Sequence, residues 1–243
     1  MVEECIYETD NKSLSIILSK NVFKPTGTSR ELIKATVNNI EKPGKLLDLG
    51  CGSGFVGLAL YLNGKLIPPL YASDLNEDSV NLLKKNALRN KFQCVANNGN
   101  IFDPWKNEKF DYIVNDISGV SDEIAPISPW FKETSCLAGK DGTKLVISVL
   151  EKSPKYLCDK GKIFFPVLSF SNIDKIISFA KSIYSKVELL SHKEWIVPDE
   201  LKKNMEILKS LKLSGYIDYK EKFGLMIWYT DIYVAYKPLN ETI

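Results

Sequence analysis

The chain has 243 residues, 44% of them hydrophobic and 26% charged, enough to bury one sizeable core within a single α/β domain. Its 32 basic and 30 acidic residues leave a formal net charge of +2, which gives no general electrostatic drive toward a nucleic-acid duplex or a membrane surface. Five scattered cysteines (Cys5, Cys51, Cys94, Cys136 and Cys158) form no C-x-x-C pair, which argues against a disulfide framework and a zinc site; His192 is the single histidine, which excludes a histidine-rich metal centre, and no metal ligand is assigned.

The N-terminus, MVEECIYETDNK, is acidic and polar and does not read as a secretory leader. No apolar run approaches the length of a membrane span. The expected setting is soluble, reducing and cytoplasmic, with no membrane partner. Within Met1 to Asn21 the short apolar stretch Leu14 to Leu18 reads equally as a strand or a helix turn. Pro25, Thr26, Gly27, Thr28 and Ser29 then make a turn and a helix start, and Leu32, Ile33, Thr36, Val37 and Ile40 give its apolar stripe.

Lys45 to Leu49 is a short buried strand, followed by a glycine loop and a helix over Phe55 to Leu62. A second strand, Leu70 to Ser73, ends at Asp74, and a helix over Glu77 to Arg89 follows with Asn76 as its cap. Third and fourth strands cover Gln93 to Ala96 and Tyr112 to Val114. After a loop rich in Pro, Ser and Gly, Thr143 to Leu157 reads as a helix and Lys162 to Val167, behind Gly161, as a strand. A helix over Asn172 to Tyr184 and a strand over Lys186 to Leu190 continue the alternation, which implies a largely parallel sheet covered on both faces. The tail breaks the pattern: a helix over Asp199 to Leu211, a short strand over Tyr216 to Tyr219 and a long one over Leu225 to Tyr236 suggest a terminal antiparallel pair. All of it fits one domain.

The strongest signal is Asp48-Leu-Gly50-Cys-Gly52-Ser-Gly54 on a strand-to-helix turn. Glycines there let the backbone turn tightly and let a ligand come close. Asp74, at the end of the next strand, stands where a carboxylate accepts hydrogen bonds from ribose hydroxyls. Gly52-x-Gly54-x-x-Gly57 also satisfies the nicotinamide or flavin fingerprint. Asp48 favours a different ligand. Its carboxylate suits the ammonium of S-adenosylmethionine and would repel a pyrophosphate.

LLDLGCGSG, the acid Asp74 and FDYIVND at the fourth strand resemble the ordered motifs of the class I methyltransferases, over Leu46 to about Val167. The resemblance implies a Rossmann-like, doubly wound α/β fold with a mostly parallel seven-stranded sheet and a reversed terminal strand. Residues 1–41 would form an N-terminal segment and helix, and 42–243 the core of the one domain. The cofactor implied is S-adenosyl-L-methionine. Asp48, Gly50, Gly52 and Gly54 would hold its methionine part, Asp74 and Leu75 its ribose, and Asn100 and Ile101 would flank the adenine. Many relatives carry an acid at the position of Asn100, whose amide oxygen can still accept from the adenine amino group.

Methyl transfer from a sulfonium needs mainly alignment of the nucleophile. Asn115, Asp116, Ile117 and Ser118 occupy the loop after the fourth strand, where the acceptor should sit. This loop, the stretch AGKDGTKLVISVLEKSPKYLCDKGKIFF and the PTGTSRELI helix start resemble the release-factor glutamine methyltransferases. Those relatives carry N-P-P-Y where this chain has N-D-I-S. The resemblance gives Asn115 the role of orienting the acceptor nitrogen, and it brings Thr26 and Thr28 close to the cofactor. Asp116 offers a second mechanism, proton acceptance from a hydroxyl or amine, against a plain capping role; Ser118 reads as a turn residue.

His192 reads as structural or solvent-facing, and Val22 and Phe23 as packing residues. Pro129, Trp130 and Phe131, with Trp195, Trp228 and Tyr229, suit either a substrate pocket or a core. Lys202 and Lys203 mark a solvated face. The expected activity is methylation of a nitrogen on a protein or RNA. Three readings stand beside it: a small-molecule methyltransferase with Asp116 as base, a nicotinamide oxidoreductase using Gly52, Gly54 and Gly57, and a non-catalytic partner that keeps the fold.

Overall fold

In the computed structural model the described residues are 3–9, 11–117, 119–131, 134 and 136–239. They form two compact units, Met1–Asp116 with Lys152–Phe165, and Ile117–Glu151 with Pro166–Ile243.

The first unit opens with an antiparallel hairpin of β1 (Glu4–Thr9) and β2 (Lys12–Ile17), in register from Glu4 opposite Ile17 to Thr9 opposite Lys12. The stretch left open between strand and helix turn is therefore a strand. Leu14 and Ile16 are fully buried and their neighbours are less so, the period of two that a half-covered strand requires. Helix α1 (Gly27–Asn39) follows, then β3 (Leu46–Leu49), α2 (Phe55–Leu62), β4 (Leu70–Asp74), α3 (Glu77–Arg89), β5 (Cys94–Asn98) and β6 (Phe110–Asn115). β3 lies parallel to both β4 and β6, β4 parallel to β5, and β6 parallel to the first half of β7 (Leu157–Leu168). All four residues of β3 are buried, as expected of a central strand covered on both faces. Asn76 caps α3 through its side chain, which accepts the Asp78 N–H at 2.9 Å.

Two asparagines of α3 complete the free edge of β2. Asn86 accepts the Ile17 N–H at 2.9 Å and donates to the Ile17 carbonyl at 3.1 Å and the Ser53 carbonyl at 2.8 Å. One turn on, Asn90 pairs with the N–H and carbonyl of Ser15. Side-chain amides thus stand in for a neighbouring strand, and the N-terminal hairpin is fastened beside the glycine loop.

The second unit contains α4 (Lys144–Lys152), whose last residue belongs to the first unit, then α5 (Ile173–Ile183), β8 (Tyr184–Ile196), α6 (Asp199–Lys202), α7 (Met205–Leu213), β9 (Lys220–Lys222) and β10 (Leu225–Pro238). β10 runs antiparallel to β8 over nearly its whole length and carries β9 on its first residues. β7 is common to both units, and the strand order through it reads β5-β4-β3-β6-β7-β10-β8. The mostly parallel seven-stranded α/β sheet with a reversed last strand is therefore present, with β9 added to it. No helix among the described residues is long and apolar enough to cross a membrane.

Several boundaries differ from the sequence expectation. The helix expected to reach Leu157 ends at Lys152, since Pro154 can only follow in a 3-10 turn, and Gly161 lies inside β7 rather than before it. The helix expected over Asp199 to Leu211 is two helices split at Lys203 and Asn204. Tyr216 to Tyr219 is not a strand; Ile217 and Tyr219 are buried without sheet pairing, and the strand is β9 next to them.

Candidate active site

The residues singled out for cofactor and acceptor lie in the first unit, at the carboxyl ends of β3, β4, β5 and β6. β3 has β4 on one side and β6 on the other, so the sheet changes winding direction there. Asp48 projects from β3 and is fully buried. Its Oδ2 accepts the Gly57 N–H at 2.9 Å, in the first turn of α2. Its Oδ1 is buried with no hydrogen-bond partner. Burial pushes the Asp48 carboxyl up to about 8; the Gly57 bond pulls it back, and the charges of Asp116 and Asp74 push it further. A Cβ on Gly57 would stand 2.6 Å from Asp48 Oδ2, so glycine is what lets this backbone N–H reach the carboxylate. Sequence reasoning gave Gly57 a place only in the dinucleotide fingerprint.

The loop after β3 holds its shape through β4: the N–H groups of Gly50 and Cys51 donate to the Ser73 carbonyl at 2.9 and 3.1 Å. Gly50, Gly52 and Gly54 all have left-handed φ, at 67°, 50° and 83°. Gly54 is also packed, since a Cβ there would meet Leu83 Cγ at 2.8 Å. Gly52 has room above it: the nearest atoms to a Cβ would be the Phe23 carbonyl at 3.7 Å and Val22 Cγ1 at 3.9 Å. Val22 and Phe23 therefore border the loop besides packing.

Asp74 braces the same loop. Its Oδ2 accepts the Gly52 N–H at 2.9 Å and its Oδ1 the Asn76 N–H at 2.8 Å. The Ser79 side chain and the Leu75 N–H donate to the same carboxylate. Desolvation raises the Asp74 carboxyl above the usual carboxylate range, against the pull of these bonds. Leu75 follows with 71% of its surface exposed. Asn98 ties this turn to the next by donating to the carbonyls of Asp74 and Leu75 at 3.0 and 2.9 Å. Asn100 is exposed there, and Ile101 has φ 50°, a left-handed conformation that a β-branched residue adopts only under strain on the order of 1–3 kcal/mol.

Asn115 ends β6, fully buried, in register with Leu49 of β3. The Asp116 N–H donates to the Leu49 carbonyl at 3.3 Å, and its Oδ2 accepts from Ser29 Oγ at 2.7 Å. Burial pushes Asp116 up to about 6, and the Ser29 bond counters it. Ser29 is itself buried, in the first turn of α1, and accepts the Thr26 N–H at 3.3 Å; Thr28 is buried beside it. Ser118 lies outside the described residues.

A ligand carrying an ammonium group, a ribose and a planar base fits this set: a bare buried carboxylate oxygen, an open glycine loop, and a second carboxylate beside exposed Leu75. Among the described residues no group of three His, Cys, Asp or Glu is placed to hold a metal. Sequence reasoning missed three contributors. Ser29 precedes Leu32, Ile33 and Thr36 at helical spacing, and Asn86 follows Leu82 and Leu83 in the same way. A polar residue on an apolar stripe was the available signal for both. Gly57 carried no such signal.

In the second unit, Trp130, Phe170, Trp195 and Trp228 form one ring cluster, with Phe170 and Trp228 stacked at 5.2 Å. Trp195 Nε1 is buried there with no hydrogen-bond partner. His192 lies within β8, with Nδ1 2.5 Å from Asp231 Oδ1 across the β8–β10 pair.

Residues 16–116 match the family model of the methyltransferase small domain. The release factor glutamine methyltransferase of Aquifex aeolicus is 32% identical over 155 residues, covering 60% of this chain and 54% of that protein. Its counterpart in Streptococcus pneumoniae is 26% identical over 67% of this chain and 60% of its own length. The chain thus spans little more than half the length of these relatives. Among solved structures, the T. thermophilus 16S rRNA N2 G1207 methyltransferase in complex with AdoMet and guanosine has a TM-score of 0.63 at 15% identity, covering 97% of this chain and 50% of that one. A ribosomal protein L11 methylase from Lactobacillus delbrueckii has a TM-score of 0.53 at 14% identity, over 87% and 80%. The likeness to class I methyltransferases read from the motifs thus appears in sequence and in fold.

Proposed function

We propose, from the premise that residues 16–116 are a methyltransferase small domain, that this chain is an S-adenosylmethionine-dependent methyltransferase acting on a nitrogen of a protein or RNA. The observation that carries the reading is the buried, unpartnered Oδ1 of Asp48 beside the open Gly52 turn. When bound, the cofactor supplies a methyl group activated on a sulfonium. Asp48 takes up the charge of the amino group, and Gly50, Gly52 and Gly54 let the methionine part approach the backbone. Asp74 accepts from the ribose hydroxyls. Leu75, Asn100 and Ile101 flank the base, and Thr28 borders the cofactor from α1. Asn115 orients the acceptor nitrogen, and Asp116 accepts a proton.

The nicotinamide reading is weaker for a physical reason. The Asp48 carboxylate, bonded to the Gly57 N–H, lies under the turn that a pyrophosphate would occupy, and its ionised form opposes phosphates. The names of the relatives support a protein or RNA acceptor: release factors for the curated proteins, ribosomal RNA for the structural neighbour. A small-molecule acceptor remains the second reading, favoured by Asp116 in place of the second residue of N-P-P-Y. Cys5, Cys51, Cys94 and Cys158 are thiols, which suits a reducing cytoplasm.

Two measurements test the proposal. Calorimetry should detect S-adenosylhomocysteine binding and no NADH binding; the reverse pattern sinks the assignment. Radiolabelled S-adenosylmethionine, incubated with separated protein, RNA and metabolite fractions, should then label protein or RNA. Label confined to metabolites selects the second reading.

A further inference from the structure

We infer that Ser29 is a positioning residue that holds the Asp116 carboxylate, through Oδ2, as the proton acceptor of methyl transfer. The inference rests on the methyltransferase reading above and assigns a role to a side chain to which that reading gave none. Ser29 Oγ donates to Asp116 Oδ2 at 2.7 Å, a short charge-assisted contact spanning 87 residues of sequence. Both ends are fixed. The Asp116 N–H is tied to Leu49 at the end of β3, while Ser29 is buried in α1 and its oxygen also receives the Thr26 N–H.

A hydroxyl that accepts a backbone N–H points its own hydrogen elsewhere, here at one carboxylate oxygen. That fixes the carboxylate plane and leaves Oδ1 as the oxygen to meet an acceptor. The step balances without a further reactant. The acceptor nitrogen gives a proton to Asp116 and its lone pair to the methyl carbon. The carbon–sulfur bond breaks with its electron pair going to sulfur; the nitrogen, one proton lost and one methyl gained, ends neutral, and the charge lost at sulfur is balanced by the proton that neutralises the Asp116 carboxylate. The Ser29 bond favours the ionised carboxylate, so it sets the pH at which Asp116 is ready to accept. Burial acts in the opposite sense.

The test is a titration of the intact chain. ¹³C-labelled aspartate, with the Asp116 signal assigned by its loss in Asp116→Asn, gives the carboxyl midpoint directly by NMR. Ser29→Ala should move that midpoint upward by about one pH unit. Ser29→Thr should restore the wild-type value, and Ser29→Cys, near in size but a weak donor, should fall between. The acid limb of methyl transfer, followed with radiolabelled cofactor on the fraction that takes up label, should move by the same amount. A midpoint in Ser29→Ala or Ser29→Cys that stays at the wild-type value overturns the inference, as does an acid limb that fails to follow. S-adenosylhomocysteine binding by the wild type separates the two levels. Its absence removes the methyltransferase reading even where the midpoint moves.

Discussion

Asp48→Asn gives the sharpest test of the site, because it changes the pH dependence of folding as well as ligand binding. The wild-type carboxyl is pushed up to about 8 in the folded chain, from 3.8 in the open one. Below pH 4 it is protonated in both states and costs nothing. As pH rises from about 4 to about 8, the unfolded chain releases this proton and the folded chain retains it, so stability falls through that window. Roughly 4 pH units at about 1.4 kcal/mol each set an upper bound on the order of 6 kcal/mol. The asparagine keeps an oxygen for the Gly57 N–H and cannot ionise. Between pH 5 and pH 9 the wild type should therefore lose up to about 4 kcal/mol more than the variant. In a chain of this length that is a relative Tm change of roughly 10 °C. Thermal denaturation of both proteins by circular dichroism at pH 5, 7 and 9 measures it. Two stability curves that fall in parallel would refute the reasoning, since a carboxyl already ionised in the folded chain gives no such divergence.

The same carboxyl must ionise to pair with an ammonium, so S-adenosylhomocysteine binding at pH 7 should release protons; calorimetry in buffers of different ionisation enthalpy reads this, and equal apparent enthalpies would count against it. Asn86→Ala removes a buried amide that serves both groups of Ile17 and the Ser53 carbonyl, and should cost about 2–4 kcal/mol by urea denaturation and open the N-terminal hairpin to proteases. Asn115→Ala should leave S-adenosylhomocysteine affinity within about twofold of wild type and lower methyl transfer at least tenfold, on the order of 1.4 kcal/mol of transition-state stabilisation; unchanged turnover would remove its assigned role.

The parallel half of the fold was legible because its signals are local. Short, mostly apolar runs such as Leu46 to Leu49, each followed by a turn and a helix, fit few arrangements other than βαβ units. The tail was less legible. Tyr216 to Tyr219 carries strand-like residues, but they are buried side chains of a connection, and the strand is the charged Lys220–Lys222 that pairs with β10. Helix ends after Lys152 and at Lys203 were set by a proline and a local turn inside longer helical patterns. Within the site, the glycines and acids of the loop stood out by spacing. The bonds of Ser29 to Asp116 and of Gly57 to Asp48 did not, because they join partners 87 and 9 residues apart.

The charge balance of the site argues for the class of ligand more strongly than the glycine pattern does. Asp48, Asp74 and Asp116 all have raised carboxyls, with burial the largest cause each time, and Asp48 is raised further by the other two. No cationic side chain appears among the causes that lower any of them. A buried carboxylate without a cation is unfavourable, and the bonds from Gly57, Gly52, Asn76 and Ser29 offset that only in part. A pyrophosphate placed here would add negative charge to the same few ångströms. A sulfonium and an ammonium would supply the missing positive charge, and the ionised forms of the three acids would then be the stable ones. Asp48 keeps its proton at neutral pH in the free protein and ionises there only beside a counterion, so a cationic ligand is the one these acids favour.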